Sequence, residues 1–174
     1  MKTSSITSQP LLLSTTQKLL TRWALLTSIV FAGSAWYGAS VAHALDISYG
    51  RGALWLIAST GLSWCVFGPL LIAVTRKTAA QCVDACLVTM TAGIAVLAIG
   101  GTVNVSMAGV PTFDAATFNW AWVGLSNVVM AAVIVRRFSL LNVVWYKTLA
   151  VWVLGLDGAG ALMFWLFRHL IGVR

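Results

Sequence analysis

Glutamate is absent from this chain, and charged residues of any kind are scarce. The four acidic residues are all aspartates, they stand against eleven lysines and arginines, and only 9% of the residues are charged. A soluble domain usually carries about 25% charged residues. With 174 residues and a hydrophobic content of 60%, the chain lacks the polar surface that water requires. We therefore expect lipid to solvate much of it.

Metal ligands and catalytic motifs are equally sparse. The three cysteines and two histidines form no metal-ligand spacing, and the sequence contains no nucleophile elbow, HExxH, Walker or dinucleotide-binding pattern. The sequence thus predicts no metal, no cofactor and no catalytic residue, and it favours a non-catalytic role over an enzyme. The net charge of +7 does not indicate nucleic-acid binding, because the basic residues stand in small groups at the ends of apolar runs.

Long apolar runs are what the chain has in abundance. A helix needs ~20 mostly apolar residues to cross the ~30 Å hydrocarbon core of a bilayer. The runs predict spans at about 23–45, 53–75, 82–105, 118–135 and 143–167. We predict an all-α integral membrane protein, a bundle of about five transmembrane helices with short loops. Residues 1–18 form a polar N-terminal tail and residues 19–174 a single transmembrane domain.

The distribution of lysine and arginine between alternate ends of the spans predicts the orientation of the bundle. Eight of these residues lie on the side of the N-terminus and three on the other side. This bias predicts a cytoplasmic N-terminus, in an inner membrane of the bacterial type. A cleaved signal peptide is the alternative for the first run, because residues 42–44 resemble a cleavage site. We favour a retained helix, since the run exceeds the about 7–15 apolar residues of a signal.

One acidic residue, Asp157, lies inside the last apolar run. A carboxylate at that depth is costly in lipid and usually faces a protein partner or a wet cavity. Gly155, Gly158 and Gly160 surround it, and small residues let another helix approach closely. Lys147 is about 15 Å away along a helix, too far to pair with it. Asp157 is therefore the candidate proton- or cation-binding residue. Alternatively, it holds helices together or contacts a partner subunit.

Three further polar residues are candidates for packing helices together: Asn104, Asn127 and Asp84. An asparagine within a span commonly hydrogen-bonds to a neighbouring helix. Asp84 suits the positive end of a helix dipole, and Arg76 and Lys77 are close to it in sequence. The candidate partners of Asp157 on other helices are Asn104, Asn127, His43, Arg51, Ser59, Thr60 and Ser63.

These observations lead to three hypotheses about function. The near absence of soluble mass and the abundance of small residues in the spans favour a non-catalytic subunit, or an assembly or accessory factor, of a larger membrane complex. The first alternative is a small transporter or channel, coupled to protons or cations through Asp157. The second is a membrane enzyme that acts on a lipid or quinone. The expected partners are the lipid bilayer and either another membrane protein or further copies of the chain.

Overall fold

The fold is all-helical over the residues that the computed structural model describes, 15–44, 49–107 and 109–171. Helices α1 to α4 span Thr15–Ala44, Tyr49–Thr75, Ala79–Met107 and Ala115–Ser139. The last helix runs without a break from residue 145 to residue 171. It comprises α5 (Trp145–Val151), a π-helical segment (Trp152–Asp157) and α6 (Gly158–Ile171). The prediction of an all-α fold is confirmed.

Three described stretches are long and apolar enough to cross a membrane. They are Thr15–Ser40, Ala79–Met107 and Thr117–Ser139, with mean hydropathies of 1.2, 2.1 and 1.6. Helix α2 adds a shorter apolar stretch, Thr60–Thr75. Large apolar side chains also lie on the outside of the bundle, as a lipid-facing surface requires. These features are consistent with a membrane protein.

Polar residues just before the apolar runs determine where α3 and α4 begin. The Thr78 hydroxyl accepts a hydrogen bond from the Gln81 backbone N–H at 3.3 Å, and the Gln81 side chain accepts one from the Thr78 N–H at 3.2 Å. This reciprocal capping box starts α3. A carboxylate oxygen of Asp114 accepts a hydrogen bond from the Thr117 N–H at 3.3 Å and starts α4. Both helices therefore begin three residues before the predicted spans at 82 and 118.

The first helix also begins earlier than its apolar run. Helix α1 starts at Thr15, inside the segment predicted as a polar tail, while residues 1–14 lie outside the described residues. The side chains of its first turns are exposed, as expected where the N-terminal end of a helix extends beyond the hydrocarbon region.

The helices pack in the order α4, α3, α1, α2 and last helix. Helix α1 lies between α2 and α3, and α3 lies between α1 and α4. The last helix packs against α2 through all three of its parts, whereas its contacts with α4 are concentrated on α5. The last helix and α4 thus meet near the connection between them and diverge beyond it.

The apolar core occupies the half of the bundle where α2 and α4 end and the last helix begins. The largest buried apolar side chains in it come from four helices: Leu26 of α1, Phe67 and Leu71 of α2, Ile134 and Phe138 of α4, and Trp152 of the last helix. The rings of Phe67 and Trp152 meet edge-on with centroids 5.5 Å apart. The charge bias predicts this half to be cytoplasmic.

Small residues of α3 bring α4 into close contact. A Cβ built on Gly93 would overlap the Met130 sulfur, and one built on Gly100 would lie 2.7 Å from Cγ of Trp122. The Ser126 hydroxyl donates a hydrogen bond to the Gly93 carbonyl at 3.0 Å. Close approach through glycine, combined with polar contacts, is the usual way in which helices associate in lipid.

Candidate functional site

Asp157 is the last residue of the π-helical segment Trp152–Asp157. In a π-helix the backbone hydrogen bonds join residues i and i+5, and such segments inside α-helices are frequently found at functional sites. The local sequence helps the interruption to form, because Gly155 and Gly158 have a weak preference for α-helix. The candidate residue thus lies where the geometry of the last helix changes.

The glycines around Asp157 bring the last helix onto α2. A Cβ built on Gly155 would lie 3.1 Å from Cδ2 of Leu70 and 3.3 Å from Cδ2 of Phe67. One built on Gly160 would lie 3.4 Å from the Ser63 hydroxyl oxygen. The close approach expected from the small residues is therefore made by α2. Asp157 falls between these two contacts along the last helix.

The carboxylate of Asp157 stands at the margin of this contact. The residue is half-buried, and it makes no hydrogen bond or ion pair within the part of the chain that the structure describes. Its neighbours one helical turn away, Leu154 and Ala161, are both exposed on the outside of the bundle. An acidic group therefore reaches the edge of a surface made of apolar side chains.

Two other polar residues, Ser63 and Asn127, lie at a depth close to that of Asp157. Asp157 is twelve residues from Trp145, Ser63 is twelve residues from Thr75, and Asn127 is twelve residues from Ser139. Each distance corresponds to about 18 Å along a helix, measured from helix ends that lie at the same side of the bundle. Ser63 is buried, whereas Asn127 is half-buried and makes no hydrogen bond among the described residues.

The remaining partners predicted for Asp157 lie in other contacts, lie far from it, or have side chains outside the described residues. The Ser34 hydroxyl donates a hydrogen bond to Thr60 at 3.2 Å, which joins α1 to α2. Asn104 lies near the far end of α3, away from the start of the last helix. The side chains of His43, Arg51 and Ser59 lie outside the described residues.

Asn104 takes part in a buried polar cluster, and it is the only member of the cluster that was predicted as a packing residue. Its amide donates a hydrogen bond to the side-chain oxygen of Asn119 at 2.6 Å, and the Tyr37 hydroxyl donates one to the Asn119 backbone carbonyl at 3.0 Å. All three side chains are buried. The cluster joins α1, α3 and α4 at the end opposite the apolar core. Asn119 was the signal available in the sequence, because the short connection after α3 brings the start of α4 back to Asn104.

Asp84 forms an ion pair with Arg22. Its carboxylate lies 2.8 Å from the Arg22 guanidinium, and both side chains are about half exposed, at 50% and 47%. The pair joins α3 to α1. Arg22 thus supplies the neutralising charge, and Arg76 and Lys77, which are nearer in sequence, lie elsewhere.

Comparison with known proteins adds no family to this description. The chain matches no protein-family model, no curated protein and no solved structure. Within the described residues, no three His, Cys, Asp or Glu side chains come together as metal ligands. The candidate site therefore rests on its own geometry. It offers one carboxylate that accepts hydrogen bonds or pairs with a cation when charged and donates a hydrogen bond when protonated.

Proposed function

We propose that this chain is a non-catalytic subunit or accessory factor of a larger membrane complex. In this proposal, the side of the last helix that carries Asp157 binds the partner protein. The single observation that carries the proposal is the half-buried Asp157 carboxylate without a described partner, at the edge of an apolar surface. Acidic residues in a membrane-spanning segment usually pair with another group. A partner helix that supplies this group satisfies the carboxylate.

The packing of the bundle leaves room for such a helix. The last helix is held by α2 along its length, but α4 supports it mainly at α5. Beyond α5, the side toward α4 is therefore available to another protein. Leu154, three residues before Asp157, is 72% exposed, which adds apolar area beside the carboxylate.

The chemistry of the site indicates what the partner presents. A lysine or arginine satisfies a charged carboxylate, and an asparagine or glutamine bonds to either protonation state. The group must reach Asp157, about 18 Å from the start of the last helix. The partner is therefore a transmembrane helix with a basic or amide side chain near mid-depth. A second copy of this chain can supply Asn127, which lies at a similar depth.

The full arrangement in the membrane belongs to the same proposal. Helix α2 and the last helix each contain 27 residues, or about 40 Å of helix, so both are long enough to span the bilayer with the other three. Five spans place the two termini on opposite sides, and the charge bias puts the N-terminus in the cytoplasm. The compartment proposed is the inner membrane of a bacterial-type cell.

A proton- or cation-coupled transporter is the second candidate. The observation that favours it is the similar depth of Ser63, Asn127 and Asp157 on three helices. Polar groups at one depth between diverging helices are what a transport pathway requires. Ion flux through liposomes containing the purified chain alone, lost on replacement of Asp157, supports this candidate over the first.

Site-specific photo-crosslinking in intact membranes tests the partner surface. We expect a photoreactive residue at Leu154 or Ala161, on either side of Asp157, to crosslink to a membrane protein, since both side chains are exposed there. Ile99 of α3, which is 57% exposed, is the matched control and should crosslink to lipid. Equal protein adducts from Ile99 and Leu154, or lipid adducts alone from all three, would contradict the proposed surface.

A further inference from the structure

A cationic groove lies where α2 ends and the last helix begins. Its volume is about 520 Å³, within the range of about 300–1,000 Å³ typical of ligand sites. Three cationic residues line it, Arg76, Lys77 and Lys147, and no acidic residue does. Within the described residues, none of the three forms an ion pair. The groove is thus a concave site with a net charge of +3 from its lining.

Two left-handed residues shape this groove. Arg76 has φ 55° and ends α2, and Asn142 has φ 57° in the connection between α4 and the last helix. Left-handed conformations are uncommon outside glycine, although asparagine is enriched in them. They turn the chain sharply at both positions, and residues 73–77 and 142–144 come to line the same space, together with Lys147.

The lining has an apolar part and a charged part, as the binding site of an amphipathic ligand requires. Ala73, Val74, Val143 and Val144 form the apolar walls. The cationic side chains stand at the helix ends, where the headgroups of a bilayer lie. Basic pockets between membrane helices on the cytoplasmic side are known to bind anionic headgroups.

We propose that Arg76, Lys77 and Lys147 bind the phosphate group of an anionic ligand in this groove. The ligand chemistry is a phosphate ester or free phosphate, held by three cations. Asn142 is placed to donate a further hydrogen bond from its amide. A lipid headgroup and soluble phosphate share this chemistry, and the experiment below separates them. The site is independent of Asp157, which lies about 15 Å from Lys147 along the last helix.

Native mass spectrometry of the full chain tests the groove. The chain is purified in a neutral detergent and titrated in separate arms with phosphatidylglycerol, phosphatidylcholine and inorganic phosphate. We expect Lys77→Gln combined with Lys147→Gln to weaken phosphatidylglycerol binding ~25-fold, since each cation near a lipid surface contributes about fivefold. Arg76 is left unchanged because its backbone is left-handed.

The matched control removes the same charge from the neighbouring helix end. Arg136 and Arg137 lie in the last turn of α4 and do not line the groove. Arg136→Gln with Arg137→Gln should therefore leave phosphatidylglycerol binding within about twofold of the original. Tight binding in the phosphate arm, lost in the groove variant, supports the site with a soluble ligand. Equal losses in the two variants, or no preference for an anionic ligand, would overturn it. If the double variant fails to fold, phosphatidylglycerol binding to the single variant Lys147→Gln, at an exposed position, tests the groove instead.

Discussion

Replacing Asp157 with leucine is expected to release the partner protein while leaving the bundle folded. Within the described residues, the carboxylate makes no hydrogen bond or ion pair, so its loss removes no contact inside this chain. In the complex, the partner's polar group would remain buried without its carboxylate. Removing one member of such a pair costs about 2–5 kcal/mol, so the affinity should fall more than ~20-fold. Recovery of the partner on the affinity-purified chain measures the effect.

Asp84 is the matched acidic control for this prediction. Its pair with Arg22 is 2.8 Å long, but both side chains are about half exposed, and such pairs contribute about 0–1 kcal/mol. Asp84→Leu should therefore leave partner recovery unchanged. The melting temperature of Asp157→Leu in detergent should equal or exceed that of the original chain. Unfolding of Asp157→Leu, or full recovery of the partner, would assign Asp157 to the interior of the bundle instead.

Replacing Gly100 with leucine is expected to destabilise the bundle by forcing α3 and α4 apart. The Cβ alone would lie 2.7 Å from Cγ and 2.8 Å from Cδ2 of Trp122. Because the contact is with the rigid indole near its attachment to the backbone, α3 and α4 must separate to admit a leucine. Overpacking of this kind typically costs about 1–3 kcal/mol. Thermal unfolding in detergent, monitored by circular dichroism, measures the loss.

Gly124 of α4 is the matched control, because a leucine there would project into open space. A Cβ built on Gly124 meets nothing within 4 Å, and the residue is exposed. Gly124→Leu should therefore leave the melting temperature unchanged or raise it slightly, because leucine favours helix over glycine by about 1 kcal/mol. Equal melting temperatures for the two leucine variants would show that α3 and α4 do not pack through Gly100.

The fold class was accessible from sequence because hydropathy and helix length act over whole segments. The apolar runs predicted helices at all five places where the structure has them. The helix starts were less accessible, because hydropathy does not register the caps at Thr78 and Asp114. Those caps add three residues to α3 and α4 beyond the predicted spans.

The candidate site was accessible in part. Asp157 and its glycines were visible as one acid among small residues, but the π-helical segment depends on how the last helix fits α2. The contact of Tyr37 with Asn119 could be found only by knowing which helices are neighbours. The cationic groove could not be predicted from helix neighbours alone, because its shape comes from the left-handed backbone at Arg76 and Asn142. Such turns depend on tertiary packing and leave no periodic signal in the sequence.

The mass of the assembly that contains this chain in native membrane tests directly whether the chain is a subunit of a larger complex. The tagged full-length chain is extracted with its surrounding lipid by an amphipathic polymer, and native mass spectrometry then weighs the particle. We expect a particle in which this chain is joined in fixed stoichiometry to another membrane protein or to further copies of itself. Asp157→Leu should release the chain from this particle. A single copy of 18.6 kDa with lipid alone would contradict this expectation.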